Sequence, residues 1–263
     1  MKIYALMENT AHAPGFQAEH GLSLYVETDR HRLLFDTGQS GAFADNAEKL
    51  GIDLGKVDSA FLSHGHYDHG GGLRRFFALN DHAPVYLSRF AFGAYHHGSD
   101  RYIGLDRELL ANGRLVETAD ELRIDEELSL DSCNGMVRPF PTDSAGLTEK
   151  VADGFLPDAF LHEQYLTIRS DGKRVLLSGC SHKGILNIVE WLKPDILIGG
   201  FHFMNQDVSS GENGYLDHAA ELLKKHRTEY HTCHCTGVAQ YAYLKKRMGE
   251  KLHYLSSGQG IEV

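Results

Sequence analysis

The stretch Ser63-His64-Gly65-His66-Tyr67-Asp68-His69-Gly70-Gly71-Gly72 carries four potential metal ligands within six residues. It follows a strand-like run that begins at Ala60 and precedes a helix-like pattern. His64 and His66, two residues apart, can bind one ion from a single loop, whereas Asp68 and His69 can serve a second ion nearby. A histidine-rich surface loop is the alternative, but it does not explain the position at the end of a strand, where α/β sites usually lie. The stretch therefore predicts a metal site.

The composition is that of an ordinary globular protein with an excess of negative charge. The 263 residues include 26 Lys and Arg against 36 Asp and Glu, giving a formal charge of −10, and 42% are hydrophobic. The densest basic stretches, 224–227 and 245–247, lie in predicted helices and are interpreted as solvated faces. A phosphate backbone would be repelled, so no nucleic-acid partner is expected. The 17 histidines are the first hint of function, because histidine binds metals and carries protons.

The chain start and the cysteines indicate a cytoplasmic protein. The apolar run of Met1–Thr10 is interrupted by an acidic residue too early for a signal-peptide core. No window approaches the roughly 18 apolar residues that a membrane span requires, so no membrane partner is expected. Four unevenly spaced cysteines favour reduced thiols over a disulfide scaffold. The oligomeric state stays open, a homo-oligomer included.

Hydrophobic periodicity predicts a mixed α/β chain. Strands are expected at Lys2–Met7, Leu22–Glu27, Arg32–Asp36, Ala60–His64, Pro84–Ser88, Leu122–Leu130, Met136–Pro139, Glu163–Arg169, Arg174–Ser178, Asp195–Gly199 and Glu229–Cys233. Helices are expected at Gly41–Leu50, Gly71–Leu79, Ile185–Leu192, Tyr215–Lys225 and Val238–Met248. Phe140–Asp158 is predicted to be a connecting loop, and Asp171-Gly172 to be a hairpin turn. Two sheet halves with flanking helices indicate a single domain over 1–263 with an αββα layered sandwich, although periodicity alone also allows a doubly wound sheet.

The histidine-rich stretch resembles the HxHxDH signature of the metallo-β-lactamase superfamily. Further segments resemble other motifs of that superfamily, in particular the subgroup of dihydropterin-methyl-aminobenzene-ribofuranosyl-phosphate synthases, and together they cover nearly the whole chain. These segments are Glu8-Asn9-Thr10, Glu19-His20-Gly21, Leu33–Gly38, Ser178–His182, Gly199–His202 and His234–Gly237. The resemblance implies the four-layer αββα fold and one or two divalent ions, with zinc, iron and manganese all suited to such ligands.

The resemblance also implies roles for individual residues. The metal ligands would be His64, His66, Asp68, His69, His182 and His234. Asp36 would accept a hydrogen bond from a ligand histidine, with a turn-forming aspartate as the alternative. Asp68 and His202 are the candidate catalytic residues, and Glu19 and His20 are weaker candidates for the pocket. His202 is chosen because it follows two glycines at the end of a predicted strand, with a capping or solvent-facing histidine as the alternative.

Two positions stay open in this interpretation. Cys180 occupies the place where related hydrolases commonly have a metal-bridging aspartate, so it is either a thiolate ligand or an inert thiol behind the ligands. The third histidine of the first ion is His182 or His162, of which His182 is favoured.

These features together predict an enzyme that acts on an anionic small molecule. The substrate is expected to bear a phosphate or pyrophosphate group, and the reaction is either hydrolysis or a transfer like that of the resembled synthases. A non-catalytic metal or redox protein is one alternative. A nuclease on the same fold is disfavoured, since the chain has neither the length for an inserted domain nor a basic surface.

Overall fold

A computed structural model describes residues 1–263, with eighteen strands and six α-helices. The strands are β1 (Lys2–Met7), β2 (Ser23–Glu27), β3 (Arg32–Phe35), β4 (Ser59–Phe61), β5 (Val85–Ser88), β6 (Tyr95–His97), β7 (Arg101–Tyr102), β8 (Leu115–Thr118), β9 (Glu121–Arg123), β10 (Leu128–Asp131), β11 (Leu147–Val151), β12 (Gly154–Pro157), β13 (Tyr165–Ser170), β14 (Lys173–Ser178), β15 (Ile196–Gly199), β16 (Glu229–Thr232), β17 (Leu252–Tyr254) and β18 (Gly260–Glu262). The helices are α1 (Ala42–Lys49), α2 (Tyr67–Gly70), α3 (Leu73–Leu79), α4 (Ile185–Leu192), α5 (Gly214–Lys225) and α6 (Val238–Met248). None of these helices combines the length and the apolar character needed to span a bilayer.

Two seven-stranded sheets pack face to face, and each is covered by helices on its outer side. The first sheet has the order β18-β1-β2-β3-β4-β5-β8 and the second the order β17-β16-β15-β14-β13-β10-β9. Three apolar clusters fill the spaces between these layers. One joins the first sheet to α1 and α3 through residues such as Phe43 and Phe76. A second joins the two sheets through Phe35 and Leu177, and the third joins the second sheet to α4, α5 and α6. The architecture is the predicted αββα sandwich.

The parallel strands bring polar segments to one edge of the sandwich. β3, β4, β5 and β8 run parallel in the first sheet, and β14, β15, β16 and β17 run parallel in the second. Asp36 follows β3 directly, the histidine-rich stretch follows β4, and Cys180, His202 and His234 come shortly after β14, β15 and β16. This edge is where the carboxyl ends of parallel strands place ligand sites.

Most predicted elements are confirmed within one or two residues, and the Asp171-Gly172 hairpin turn joins β13 to β14 with both residues at positive φ. The predicted strand Leu122–Leu130 is wrong as one element. It divides into β9 and β10, because the Asp125 side chain accepts hydrogen bonds from the backbone of Glu127 and Leu128 and forms a turn there. The predicted strand Met136–Pro139 is also wrong. Its Val137 carbonyl accepts a hydrogen bond from the Trp191 indole at 2.9 Å instead of a ladder bond.

A small third sheet lies where the sequence predicted a loop. Phe140–Asp158 contains the hairpin β11–β12, which pairs with β6 and β7 in the order β12-β11-β6-β7. Pro157 indicated a loop in the sequence, because proline has no backbone N–H to donate to a neighbouring strand. It is tolerated because β12 is an edge strand with a partner on one side only.

The core between the sheets predicts a large cost for truncating a side chain there. Phe35→Ala removes a fully buried ring, so it should lower the free energy of unfolding by about 3–5 kcal/mol. Val137→Ala is the matched control, since Val137 is 84% exposed and its truncation should change stability by less than about 0.5 kcal/mol. Urea unfolding of the metal-free protein measures both. Equal stability of the two variants would contradict the assignment of this core.

Candidate metal centre

The first group of ligand atoms comes from His64, His66 and His182, which are all buried and lie within 4.8 Å of one another. The Nε2 atoms of His64 and His182 are 3.3 Å apart. A tetrahedral zinc ion with Zn–N bonds of about 2.0–2.1 Å separates its ligand nitrogens by about 3.3 Å. The spacing therefore suits a divalent ion held between these rings.

The second group comes from Asp68, His69, Cys180 and His234. The His69 Nε2 atom lies 3.2 Å from both the His234 Nε2 and the Cys180 Sγ atoms. One Asp68 carboxylate oxygen is 3.3 Å from the His234 Nε2 atom and 3.6 Å from that of His69. Two nitrogens, one oxygen and one sulfur form a donor set that zinc or iron can accept. The structure thus places Cys180 beside the ligand nitrogens, not behind them.

Burial keeps most of the candidate ligand histidines uncharged. It lowers the pKa of His64 and of His182 well below the usual value, and neighbouring histidines add to the effect. Burial also lowers the pKa of His234, to about 4. His69 differs, because Asp36 and Asp68 outweigh burial and raise its pKa. Neutral imidazoles have a free lone pair, which is the form that binds a metal ion.

The convergence of these atoms tests whether metal ions fit the site. Several lone-pair-bearing atoms face one another at 3.2–3.3 Å, an arrangement that is unfavourable unless a proton or cation lies between them. In addition, the buried His66 Nε2 atom has no hydrogen-bond partner, which is costly in a folded protein. The residues present therefore fit a pair of divalent ions.

His162 has a different role from the candidate ligands. It belongs to a third group with His66 and Asp158, but both of its ring nitrogens form hydrogen bonds within the protein. Its Nδ1 atom accepts a hydrogen bond from the Gly65 backbone at 2.9 Å, so the proton lies on Nε2 and is donated to Asp158 at 3.0 Å. His162 thus supports the loop that carries His64 and His66.

Asp36 fixes the loop that follows β4. One oxygen accepts hydrogen bonds from His69 Nδ1 and from the Ser63 hydroxyl, each at 2.7 Å, and the other accepts the Ser63 backbone N–H. The Ser63 hydroxyl also lies 2.8 Å from His64 Nδ1. Asp36 thus lies behind the candidate ligand His69 and, through the Ser63 hydroxyl, is linked to His64 of the other group.

Two buried glutamates, to which the sequence analysis assigned no role, hold the other ligand turns. Glu163 accepts the backbone N–H groups of His182 at 2.7 Å and Lys183 at 3.0 Å. Glu8 accepts the backbone N–H of His234 at 2.8 Å. The available signal was an acidic residue beside an apolar strand run, after β1 for Glu8 and before β13 for Glu163.

The backbone around the centre is unusual. Asp36, Ser181, His202 and His234 have φ of 60°, 58°, 56° and 51°, values that favour glycine. All four follow strands of the two main sheets. The ligand turns therefore take a backbone conformation that their own residues do not prefer.

Both groups of ligand atoms open into one cavity of about 240 Å³. The predicted catalytic residue His202 lines it, with its ring 4.4 Å from that of His182, and burial lowers its pKa so that the ring is neutral. His20 also lines the cavity, and its Nε2 atom is 3.2 Å from Asp68. Glu19 points elsewhere, since its carboxylate accepts hydrogen bonds from Gln39 and Ser40.

An αββα sandwich with two groups of histidine, aspartate and cysteine ligands at its strand ends is the architecture of a metal-dependent enzyme. The family model of the metallo-beta-lactamase superfamily matches residues 17–208. The chain belongs to this superfamily, which confirms the resemblance and the fold predicted from the sequence.

Three proteins are similar to this chain over most of their length. An uncharacterized protein of Methanocaldococcus jannaschii is 30% identical over 264 residues, covering 89% of this chain and 90% of that protein. A 7,8-dihydropterin-6-methyl-4-(beta-D-ribofuranosyl)-aminobenzene-5'-phosphate synthase of the same organism is 27% identical over 296 residues, covering 100% and 96%. The crystal structure of a metal-dependent hydrolase of the beta-lactamase superfamily matches with a TM-score of 0.84 at 28% identity, covering 100% and 99%.

Elemental analysis of the purified protein should show about one to two first-row metal ions per chain. His64→Ala should weaken metal binding roughly tenfold or more, because it removes one metal–nitrogen bond. His82→Ala, a change of an exposed histidine, is the control and should leave metal content unchanged. A protein that takes up no zinc, iron or manganese would disprove the centre.

The position of the Cys180 sulfur predicts that the thiolate binds the second ion. Cys180→Ser should lower the affinity of that ion by about tenfold or more, whereas Cys180→Asp should restore or exceed it by supplying a carboxylate. Metal titration measures the affinities, and the cobalt-substituted protein should show a thiolate-to-metal charge-transfer band that Cys180→Ser lacks.

Cys235→Ser provides the matched control for the cysteine variants. Cys235 lines the same cavity, but its thiol donates to the Cys180 carbonyl and is outside both ligand groups. Its loss should leave the charge-transfer band intact. A Cys180→Ser protein with unchanged affinity and spectrum would show that the thiol is inert.

Proposed function

We propose that this protein is an enzyme with two metal ions that acts on a phosphate- or pyrophosphate-bearing small molecule. The observation that carries the proposal is that two separate ligand groups, sharing no residue, open into one cavity of small-molecule size. The name of the 27% identical relative, a synthase of a phosphorylated ribofuranosyl compound, supports the phosphate-bearing class. Zinc, iron and manganese are the candidate ions.

When bound, such ions polarise the reacting group, lower the pKa of water and neutralise a leaving anion. The residues of the chain supply the remaining functions. Asp68 is the single carboxylate among the two ligand groups that open into the cavity, and its contact with His20 fixes its orientation. His202 is neutral and lines the cavity beside His182, so it can accept a proton from a nucleophile or return one to a leaving group.

The same site can support hydrolysis or transfer. In hydrolysis, water attacks a carbonyl or phosphorus centre. In a synthase-like transfer, an arylamine attacks a dihydropterin-methyl carbon while pyrophosphate leaves. The neutral His202 can take the proton of either nucleophile, so the chain residues serve both reactions in the same way.

The charge of the chain supports a small molecule over a nucleic acid as the substrate. The formal charge of −10 opposes binding of a polyanion along the surface. Bound divalent ions would make the electrostatic potential inside the cavity positive. An anion would therefore be attracted only if it is small enough to enter the cavity.

A substrate panel tests the proposed class with the metal-loaded protein. Phosphodiesters and pyrophosphate esters should be turned over, whereas thioesters, lactones and β-lactams should not, because only the former place a phosphoryl oxygen between the two ligand groups. A pterin-methyl pyrophosphate ester, with and without an added arylamine, separates transfer from hydrolysis, since transfer alone requires the amine.

The His64→Ala protein is the control for contaminating enzymes, and it should lose the activity. Robust turnover of β-lactams with none of the phosphorylated compounds would contradict the proposal. Activity that persists in His64→Ala would show that the measured reaction belongs to another protein.

A further inference from the structure

Arg101 is the one arginine that lines the cavity of the metal centre. It begins β7, and the chain just beyond it is attached to the ligand loop. The Tyr67 N–H donates to the Ile103 carbonyl at 2.8 Å, and His66 forms a β-bridge with Gly104. The small third sheet therefore presents Arg101 at a fixed place beside the metal ligands.

The guanidinium group of Arg101 is held by Tyr67. Its Nη2 atom donates to the Tyr67 hydroxyl at 2.7 Å, and its Cζ atom lies 5.5 Å from the centre of the ring. Because the Tyr67 hydroxyl oxygen accepts a hydrogen bond from Arg101, the hydroxyl proton remains free to be donated to a ligand. Tyr67 also lines the cavity. Two donors therefore converge on one place in the wall.

No carboxylate neutralises Arg101, since none lies within ion-pair distance of it, unlike Arg74 and Arg247. The residue opposite Arg101 in the β6–β7 ladder is His97, which lines the cavity as well. Arg101 thus gives this wall a positive charge in a protein whose formal charge is −10. A planar guanidinium with free N–H groups binds phosphate or carboxylate in a bidentate manner.

We propose that Arg101 and Tyr67 form a second anion-binding subsite, which holds a phosphomonoester group of the substrate away from the reacting bond. This inference rests on the proposed function and narrows it. The ions bind the reacting group, and the cationic wall binds the far end of the same molecule. The substrate class is then a small molecule with two separated anionic groups, the distal one a phosphomonoester.

Alkane bisphosphonates of increasing chain length test the subsite by calorimetry on the metal-loaded protein. The alkyl monophosphonates of the same lengths, which have one anionic group, are the matched ligands. At the chain length that spans the cavity, the bisphosphonate should bind about tenfold or more tightly than its matched monophosphonate, which corresponds to one charge-assisted contact. Arg101→Gln should abolish that gain and leave monophosphonate binding unchanged.

Arg107→Gln is the charge-matched control. Arg107 is exposed near the same sheet, donates to the Phe92 carbonyl and does not line the cavity. It should retain the bisphosphonate gain, and metal content should be equal in all three proteins. Phosphonocarboxylates of the same lengths identify the distal group, because an equal or larger gain with the carboxylate overturns the assignment to a phosphomonoester.

The outcomes separate this inference from the proposed function. The subsite alone is overturned if monophosphonates bind in a metal-dependent manner but the bisphosphonates bind no more tightly than they do. It is also overturned if the Arg101→Gln protein retains the tighter binding of the bisphosphonate. Absence of any phosphonate binding by the metal-loaded wild-type protein contradicts both the subsite and the phosphate-bearing substrate class.

Discussion

The contact between the Asp36 carboxylate and the His69 ring is the interaction on which the rest of the centre depends. Asp36 ends a core strand and is fully enclosed, so its charge is tolerated only with hydrogen-bond donors around it. His69 and Ser63 supply those donors. The same bonds fix the orientation of a ligand ring and the path of the loop after β4. The hydrogen bonds that stabilise the buried Asp36 carboxylate therefore also orient the His69 ring as a candidate metal ligand.

The other ligand turns follow the same principle on the second sheet. Glu163 and Glu8 have no exposed surface, and each accepts the backbone N–H of a ligand histidine. Three enclosed carboxylates thus each hold one turn, and they lie outside the ligand groups themselves. The arrangement lets the ligands converge from strands of two different sheets, because each turn is held by its own buried carboxylate.

The sequence predicted what depends on local pattern. Hydrophobic periodicity predicted most of the strands and helices, and the resemblance to the superfamily distinguished the αββα layers from a doubly wound sheet. The ligand-rich stretch is recognisable from its residue types and spacing. The roles of Glu8 and Glu163 were missed, because a hydrogen bond to a backbone N–H more than two hundred residues away, as Glu8 forms with His234, cannot be read from the local sequence. Likewise, the hairpin β11–β12 and the site of Arg101 depend on pairing between distant segments. The sequence left the role of Cys180 open, and only the position of its sulfur, 3.2 Å from the His69 Nε2 atom, turns ligation into a specific prediction.

The left-handed residues at the strand ends have a consequence for which substitutions these turns tolerate. Each such residue costs roughly 1 kcal/mol, and Asp36, Ser181, His202 and His234 all adopt this conformation. A β-branched residue at any of the four positions would add steric strain of the backbone to the loss of the original side chain. Glycine or asparagine would keep the path of the turn while removing its function. The backbone therefore restricts sequence change at these positions independently of the chemistry that their side chains perform.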